Sequence, residues 1–155
     1  MILVEGRKRF FQAAAGRWQG TLEYRDYQPP FKRVNLPTRL FVTSSAPKEL
    51  TLHYIFDDGP KKTVHSYDRL LVDTEAGMVR FSGLKADDVT TATIVRSATT
   101  DGVLEVIAER TQDNKGVEEV TRYRLRFGKD GFDILKTAGP KGAEGEFRNQ
   151  YSFRR

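Results

Sequence analysis

The sequence predicts an all-β fold: a single antiparallel up-and-down β-barrel of about ten strands, lipocalin-like, preceded by a short N-terminal helix. Apolar and polar side chains alternate with a period of two from Arg17 onward, which is typical of strands with one buried face. Short turn sequences separate the alternating runs, and no ten-residue helical pattern follows Gly16. A long meander of strands closes readily, because closure removes both exposed edges.

Each predicted strand is a short alternating run that ends at a turn signal. In order, the strands are RWQGTLEY, LPTRLFVTSS, KELTLHYIFDD, KKTVHSYDRLLVD, MVRFSG, TTATIVRSA, GVLEVIAERT, VEEVTRYRLRF, GFDILKTA and EFRNQYSFRR. The clearest turns are DDGP, EAG, TDG, DNKG, GKDG and GPKGAEGE. Alternation predicts an interior made of Trp18, Gly20, Leu22, Tyr24, Leu40, Val42, Leu52, Tyr54, Phe56, Leu104, Val106, Tyr123, Leu125, Phe147, Tyr151 and Phe153.

The length of 155 residues fits one domain. We expect a helix or arm over 1–15 and the barrel over 16–155. In the opening sequence MILVEGRKRFFQAAAG the apolar run precedes the basic residues, which is not the order of a signal peptide. The chain has no cysteine, which permits a reducing compartment, and we expect a cytoplasmic location. Removal of a signal peptide before residue 1 would instead make the protein periplasmic or secreted.

Charge and composition limit the partners. The formal charge of +5 is spread among interspersed acids and bases, so nucleic acid is not an expected partner. No apolar stretch approaches the roughly 18 residues of a membrane span. The absence of cysteine excludes disulfides and thiolate metal sites. We expect a monomer or homodimer.

The chain's only tryptophan stands at the head of the first strand, in the sequence Gly16-Arg17-Trp18. With Arg154, or its neighbour Arg155, at the end of the last strand, this pattern resembles the calycins, the superfamily of lipocalins and fatty-acid-binding proteins. The resemblance implies that the glycine turns the chain in at the barrel floor and that the indole plugs that end. A guanidinium lying across the indole would add roughly 1–2 kcal/mol and join the first strand to the last.

The chain departs from the calycin pattern in other places. The lipocalin Thr-Asp-Tyr signature is replaced by Thr100-Asp101-Gly102, and the carboxylate-binding Arg-x-Tyr of fatty-acid-binding proteins reads Asn149-Gln150-Tyr151. The segment QPPFKRVN is too short for their two-helix lid. Fatty-acid binding therefore does not carry over, and the chain resembles a compact, lidless, bacterial-type member of the wider group.

The leading functional hypothesis is non-catalytic binding of a small hydrophobic or amphipathic molecule inside the barrel, with no cofactor. We expect hydroxyl groups to orient the ligand and apolar side chains to surround it. The candidate hydroxyls are Tyr24, Tyr54, Tyr123 and Tyr151, and the candidate apolar side chains are Leu40, Leu52, Phe56 and Val106. The alternative is that these residues fill a solid core or stand at its rim.

A second hypothesis is a haem protein or enzyme that uses an interior histidine. Small haem-binding barrels similar to the nitrobindins hold iron with one such residue, and His65 is the candidate here. His53 alternates with an apolar face and is expected to point outward. His65, Asp68 or Glu105 would serve as a catalytic base only if turned inward, and no catalytic motif is recognisable.

A third hypothesis is a surface-interaction module. Arg122, Arg124 and Arg126 alternate along one predicted strand and form a basic face for an anionic partner. The competing interpretation is a solvated face in which Glu105, Glu109 and Glu118 pair with these arginines across strands.

Overall fold

The fold is a closed barrel of ten antiparallel strands, as predicted. A computed structural model describes residues 12–155. The strands are β1 Gly16–Arg25, β2 Arg33–Ala46, β3 Glu49–Asp57, β4 Thr63–Asp73, β5 Met78–Ser82, β6 Val89–Thr100, β7 Val103–Asn114, β8 Val117–Phe127, β9 Gly131–Pro140 and β10 Glu146–Arg154. Each strand pairs with the next along the chain, and β1 pairs with β10.

The seam between β1 and β10 closes the barrel. Its register places Gly20 opposite Phe153 and Leu22 opposite Tyr151. The two strands approach so closely that a Cβ at Gly20 would lie 1.8 Å from the carbonyl oxygen of Ser152. Only glycine fits there without moving the backbone, so this residue allows the first and last strands to meet.

The up-and-down topology gives the barrel two different ends. The end that carries the N-terminal helix, together with the turns at 47–48, 74–77, 101–102 and 128–130, is called the floor here. The opposite end, with the loops at 26–32, 58–62, 83–88, 115–116 and 141–145, is called the mouth. The described part of the predicted helix covers 12–14, and the rest of the predicted helix or arm, including GRKRFF, lies outside the described residues.

Trp18 plugs the floor. Its side chain is buried, with 1% of its surface exposed, and its indole Nε1 donates a hydrogen bond of 2.8 Å to the carbonyl oxygen of Ala14. The ring centroid lies 5.9 Å from that of Phe132 on β9. The indole therefore joins the end of the helix, the first strand and the far wall.

The arginine over the indole is Arg155, and the assignment of this role to Arg154 is wrong. The Arg155 guanidinium carbon lies 3.9 Å from the ring centroid of Trp18. The same group donates hydrogen bonds to the carbonyl oxygens of Ala13, Arg17 (3.4 Å) and Lys129 (3.2 Å).

Strand alternation explains why Arg154 cannot take that position. Because Phe153 points into the core, Arg154 points outward, where it pairs with Asp133 at 3.0 Å. Gly16 makes room for Arg155: its φ is +116°, and a Cβ there would lie 2.8 Å from Arg155 Nη1. The floor thus needs a glycine at this position for two reasons.

A β-bulge changes the facing of one predicted interior residue. The pairing of β10 with β9 shifts between Phe147 and Asn149, so the strict alternation assumed for this strand breaks at Arg148. The ring of Phe147 stacks on the guanidinium of Arg33, 4.1 Å away, rather than joining the core. The interior position predicted for Phe147 is therefore wrong.

The lower part of the barrel is filled with side chains. The largest of those that are fully or almost fully buried are Trp18, Tyr54, Phe127, Phe132, Phe153, Leu40, Leu50, Leu52, Leu70, Leu125, Val79 and Val106. Most of the interior set expected from alternation is among the buried residues, which confirms the predicted facing of β1, β2, β3, β7 and β8.

Replacing Arg155 by alanine is expected to lower the free energy of unfolding by about 1–2 kcal/mol, because it removes a cation–π contact and three hydrogen bonds to the floor. Urea unfolding followed by Trp18 fluorescence measures the loss. Arg154→Ala is the matched control, since an exposed ion pair contributes at most about 1 kcal/mol. Equal losses in the two variants would contradict the role given to Arg155.

Candidate functional site

A cavity opens inside the barrel towards the mouth. Its volume is about 200 Å³. It is lined by Tyr54, Asp68, Phe81, Ser82, Gly83, Asp88, Thr90, Tyr123, Ile134, Lys136, Asn149 and Tyr151. Unlike the floor, this end of the interior combines aromatic rings with charged and polar groups.

Two pairs of aromatic rings form part of the cavity wall. Tyr54 and Tyr151 have ring centroids 4.7 Å apart, and Phe81 and Tyr123 have centroids 5.0 Å apart. Such tilted contacts between aromatic rings are favourable beyond the area that they bury. The pairs fix the ring positions and give the cavity a firm apolar surface.

The side chain of Tyr54 is buried, and its hydroxyl has no hydrogen-bond partner among residues 12–155. Only 2% of the Tyr54 surface is exposed, and the residue lines the cavity. Burial, and then the nearby Tyr151 and Asp68, raise the pKa of Tyr54 well above its usual range. Burial, and then the nearby Asp68, raise the pKa of Tyr151 to about 12. Both hydroxyls therefore stay protonated at neutral pH.

Two carboxyl groups lie at the cavity rim. Asp68 is half-buried on β4, and Asp88 comes just before β6. Burial, followed by the charge of Asp88, raises the pKa of Asp68. No donor within the described part of the chain forms a hydrogen bond or ion pair with either carboxylate.

The loop at 83–88 holds Asp88 near Asp68. The Gly83 amide donates to the carbonyl oxygen of Asp88 at 2.8 Å, and a Cβ at Gly83 would lie 1.9 Å from Asp88 Oδ2. Ser82, beside Gly83, pairs with Arg69, beside Asp68. The glycine thus lets the carboxylate of Asp88 fold over the strand end next to Asp68.

Lys136 and Asn149 contribute polar groups from the opposite wall. They are register partners on β9 and β10, directly below the bulge. The Lys136 ammonium lies 5.9 Å from the ring centroid of Tyr123. Within residues 12–155 it forms no ion pair with a carboxylate.

The structure separates the eight predicted ligand residues into two groups. Tyr54, Tyr123 and Tyr151 line the cavity. The other five do not border it: Leu40, Leu52 and Val106 belong to the filled core, Phe56 packs against Tyr54 with centroids 5.8 Å apart, and Tyr24 is half-buried near the mouth end of β1. The position expected for these five residues around the cavity is wrong, because the strands tilt and the open space lies to one side of the barrel.

His65 lies on the outer surface, so the interior position required for haem ligation is wrong. β4 turns Leu70 and Val72 inward, which places odd-numbered residues outside. There His65 Nδ1 lies 2.9 Å from His53 Nε2, and the ring of His53 stacks on Tyr67. Desolvation, and then His65, lower the pKa of His53.

Of the three residues considered as an interior base, only Asp68 faces the cavity. Glu105 lies outside, where its Oε2 is 3.2 Å from Arg126 Nε. Arg122 pairs with Glu109 through two nitrogens, at 2.9 and 2.7 Å. These are the cross-strand pairs expected for a solvated face, except that Glu118 pairs with Lys141 at 3.3 Å instead of the arginines.

A larger depression, of about 1010 Å³, runs along β1–β3 and the loop at 58–62. Exposed residues such as Arg39, Lys61 and Lys62 line much of it. Most of its lining residues are exposed, and the hydroxyl of Thr38, a buried residue of the lining, donates to the carbonyl oxygen of Leu36 at 2.9 Å, so we place the candidate site in the interior cavity instead.

Sequence reasoning missed Asp88, Lys136 and Asn149 as site residues. The alternation of β9 indicates that Lys136 points inward, because Phe132 and Ile134 precede it at spacings of two. Asn149 obeys the same rule, because Tyr151 and Phe153 follow it at spacings of two, whereas Asp88 lies in a loop, where alternation gives no signal.

Residues 12–155 contain no group of three or more His, Cys, Asp or Glu side chains placed to hold a metal ion. A search of the same residues found no helix long and apolar enough to cross a membrane. The chain matches no protein-family model, and no curated protein or solved structure is significantly similar to it.

We expect Asp68→Asn to raise the Tm at pH 7 by a few degrees. Because the folded state raises the pKa of Asp68, its carboxylate destabilises the fold at neutral pH. This cost disappears as the pH falls through the raised pKa towards the ordinary value of about 3.9. Thermal unfolding from pH 7 to pH 3 therefore shows a gain that shrinks with acidity. Asp87→Asn, an exposed change in the same loop, is the control, and a lower Tm of Asp68→Asn at pH 7 would refute the expectation.

Proposed function

We propose that this protein binds a small hydrophobic or amphipathic molecule, without catalysis, in the cavity at the mouth end of the barrel. The observation that carries the proposal is the cavity itself, whose wall includes Tyr54, a residue only 2% exposed whose hydroxyl has no hydrogen-bond partner in the described chain. A ligand that hydrogen-bonds this hydroxyl gains a polar contact beside an apolar, aromatic surface.

The size of the cavity favours a molecule with a single ring. Its volume of about 200 Å³ is below the roughly 300–1,000 Å³ of sites for drug-sized ligands. A cavity of about 150 Å³ holds one benzene ring in an engineered protein. The ring pairs Tyr54–Tyr151 and Phe81–Tyr123 supply an apolar surface of matching size, with the hydroxyls and carboxyls placed to orient a polar end.

We also propose that the chain is a calycin-like protein. The support is the ten-strand meander, the tryptophan on the first strand beneath the helix end, and the C-terminal arginine across its ring. The cytoplasmic location, the bacterial-type origin and the monomeric or homodimeric state stay predictions.

The cavity is tested by filling it. We expect 2-phenylethanol to bind the unaltered protein, as measured by titration calorimetry or by ligand-observed NMR. Ile134→Trp projects a large ring into the cavity and is expected to weaken binding by about tenfold or more. Leu135→Trp, the same change one residue along β9, faces outward and is expected to leave affinity within about twofold. Circular dichroism checks that both variants are folded.

Absence of binding by 2-phenylethanol and similar single-ring probes would contradict the proposal. So would equal affinity of Ile134→Trp and the unaltered protein.

Removing the Tyr54 hydroxyl is expected to weaken ligand binding without lowering the stability of the fold. Tyr54→Phe deletes a hydroxyl that has no partner in the described chain, so the free energy of unfolding stays the same or rises by about 1 kcal/mol. Affinity for 2-phenylethanol falls, because a hydrogen bond to its hydroxyl is lost. Urea unfolding and the same titration give the two values. Tyr67→Phe on the outer surface is the control, and a clearly less stable Tyr54→Phe would show that the hydroxyl has a partner.

A further inference from the structure

We propose that the cavity selects a cation: its ligand has a ring or short apolar body and a protonated amine that binds between Asp68 and Asp88. This inference rests on the proposed ligand-binding function and specifies the chemical class of the ligand.

The first support is the placement of two carboxylates without donors. Both Asp68 and Asp88 line the cavity, and the close packing of Asp88 over Gly83 keeps the second carboxylate at the rim. Within the described chain neither has a hydrogen-bond donor or a cation within ion-pair distance. Asp88 is exposed, but Asp68 is half-buried, and a partly buried anion is costly unless it is paired, so the site is completed by a ligand that brings N–H donors and positive charge.

The second support is independent of the acidic pair. Tyr54, with 2% of the residue surface exposed, lines the same cavity, and its hydroxyl has no hydrogen-bond partner in the described chain. The influence of Asp68 on the pKa values of both Tyr54 and Tyr151 indicates that its carboxylate lies near their rings. An ammonium group carries three donors, which suits a carboxylate and a hydroxyl oxygen that line the same cavity.

The aromatic lining also favours a positively charged ligand. The faces of tyrosine and phenylalanine rings attract cations, by roughly 0.5–2 kcal/mol depending on exposure. The cavity wall carries four such rings, those of Tyr54, Phe81, Tyr123 and Tyr151. They surround an apolar ligand body equally well, so a protonated amine with one ring uses the whole lining.

Lys136 is the one cationic side chain of the lining, and it argues for a competing class of ligand. Its ammonium contacts the ring of Tyr123, 5.9 Å from the centroid, on the β9 wall. The lining also contains the two carboxylates of Asp68 and Asp88, so it carries one net negative charge at neutral pH. An anionic ligand held by Lys136 is therefore less favourable, and the experiment includes it.

Three probes of one shape and different charge test the inference. Titrations at pH 7 compare 2-phenylethylamine, 2-phenylethanol and phenylacetate. We expect the amine to bind about tenfold or more tightly than the alcohol, and phenylacetate to bind most weakly. Asp68→Asn is expected to weaken amine binding by about tenfold while changing the affinity for the alcohol by no more than about twofold. Asp87→Asn, which alters net charge equally outside the cavity, leaves amine binding unchanged.

The outcomes distinguish this inference from the proposed function. Equal binding of amine and alcohol overturns the selection for a cation and leaves the ligand-binding cavity standing. Tighter binding of phenylacetate, lost in Lys136→Gln, overturns it in favour of an anion. Unchanged amine affinity in Asp68→Asn overturns the assigned carboxylate even if the amine is preferred. Binding of none of the three probes overturns both proposals.

Discussion

The contact between the guanidinium of Arg155 and the indole of Trp18 is the interaction on which the barrel depends. It brings together the helix end, the first strand, the last strand and the turn between β8 and β9. A meander of strands has two free edges until its ends meet, and unpaired edges invite association with other chains. The seam between β1 and β10 removes both edges, and the floor contact holds that seam at one end.

The two ends of the barrel interior differ: the floor stabilises the fold, and the mouth end carries the candidate binding site. The floor is filled with apolar side chains that sit close together, which is where burial stabilises the fold most. The mouth end instead keeps hydroxyls and carboxylates that have no partner within residues 12–155, and such polar groups add less to stability than apolar packing does. Natural proteins retain such groups chiefly where binding uses them, and a firmly packed floor allows the cost to be carried.

Alternation in the sequence was sufficient to predict all ten strands, the closed barrel and the buried tryptophan. It failed where a β-bulge interrupts the regular alternation of inward and outward side chains. The facing of Phe147 depends on a bulge that no turn residue indicates. The choice between Arg154 and Arg155, by contrast, follows from alternation, because Phe153 points inward and Arg154 therefore outward. The cavity itself was beyond sequence reasoning, because strand tilt and loop conformation decide which inward side chains meet. Asp68 was foreseen only as a conditional base, and Asp88 not at all.

The bulge at Arg148 has a consequence for how the last strand tolerates change in length. Below it Tyr151 and Phe153 face the interior, and above it the alternation is reversed, so that Phe147 lies outside. One inserted or deleted residue between the bulge and the chain end would exchange inner and outer surfaces for half of β10, and the aromatic plug and its guanidinium cover would lose their alignment. The adjoining loop at 141–145 absorbs such changes freely, so drift in length is confined to the rim.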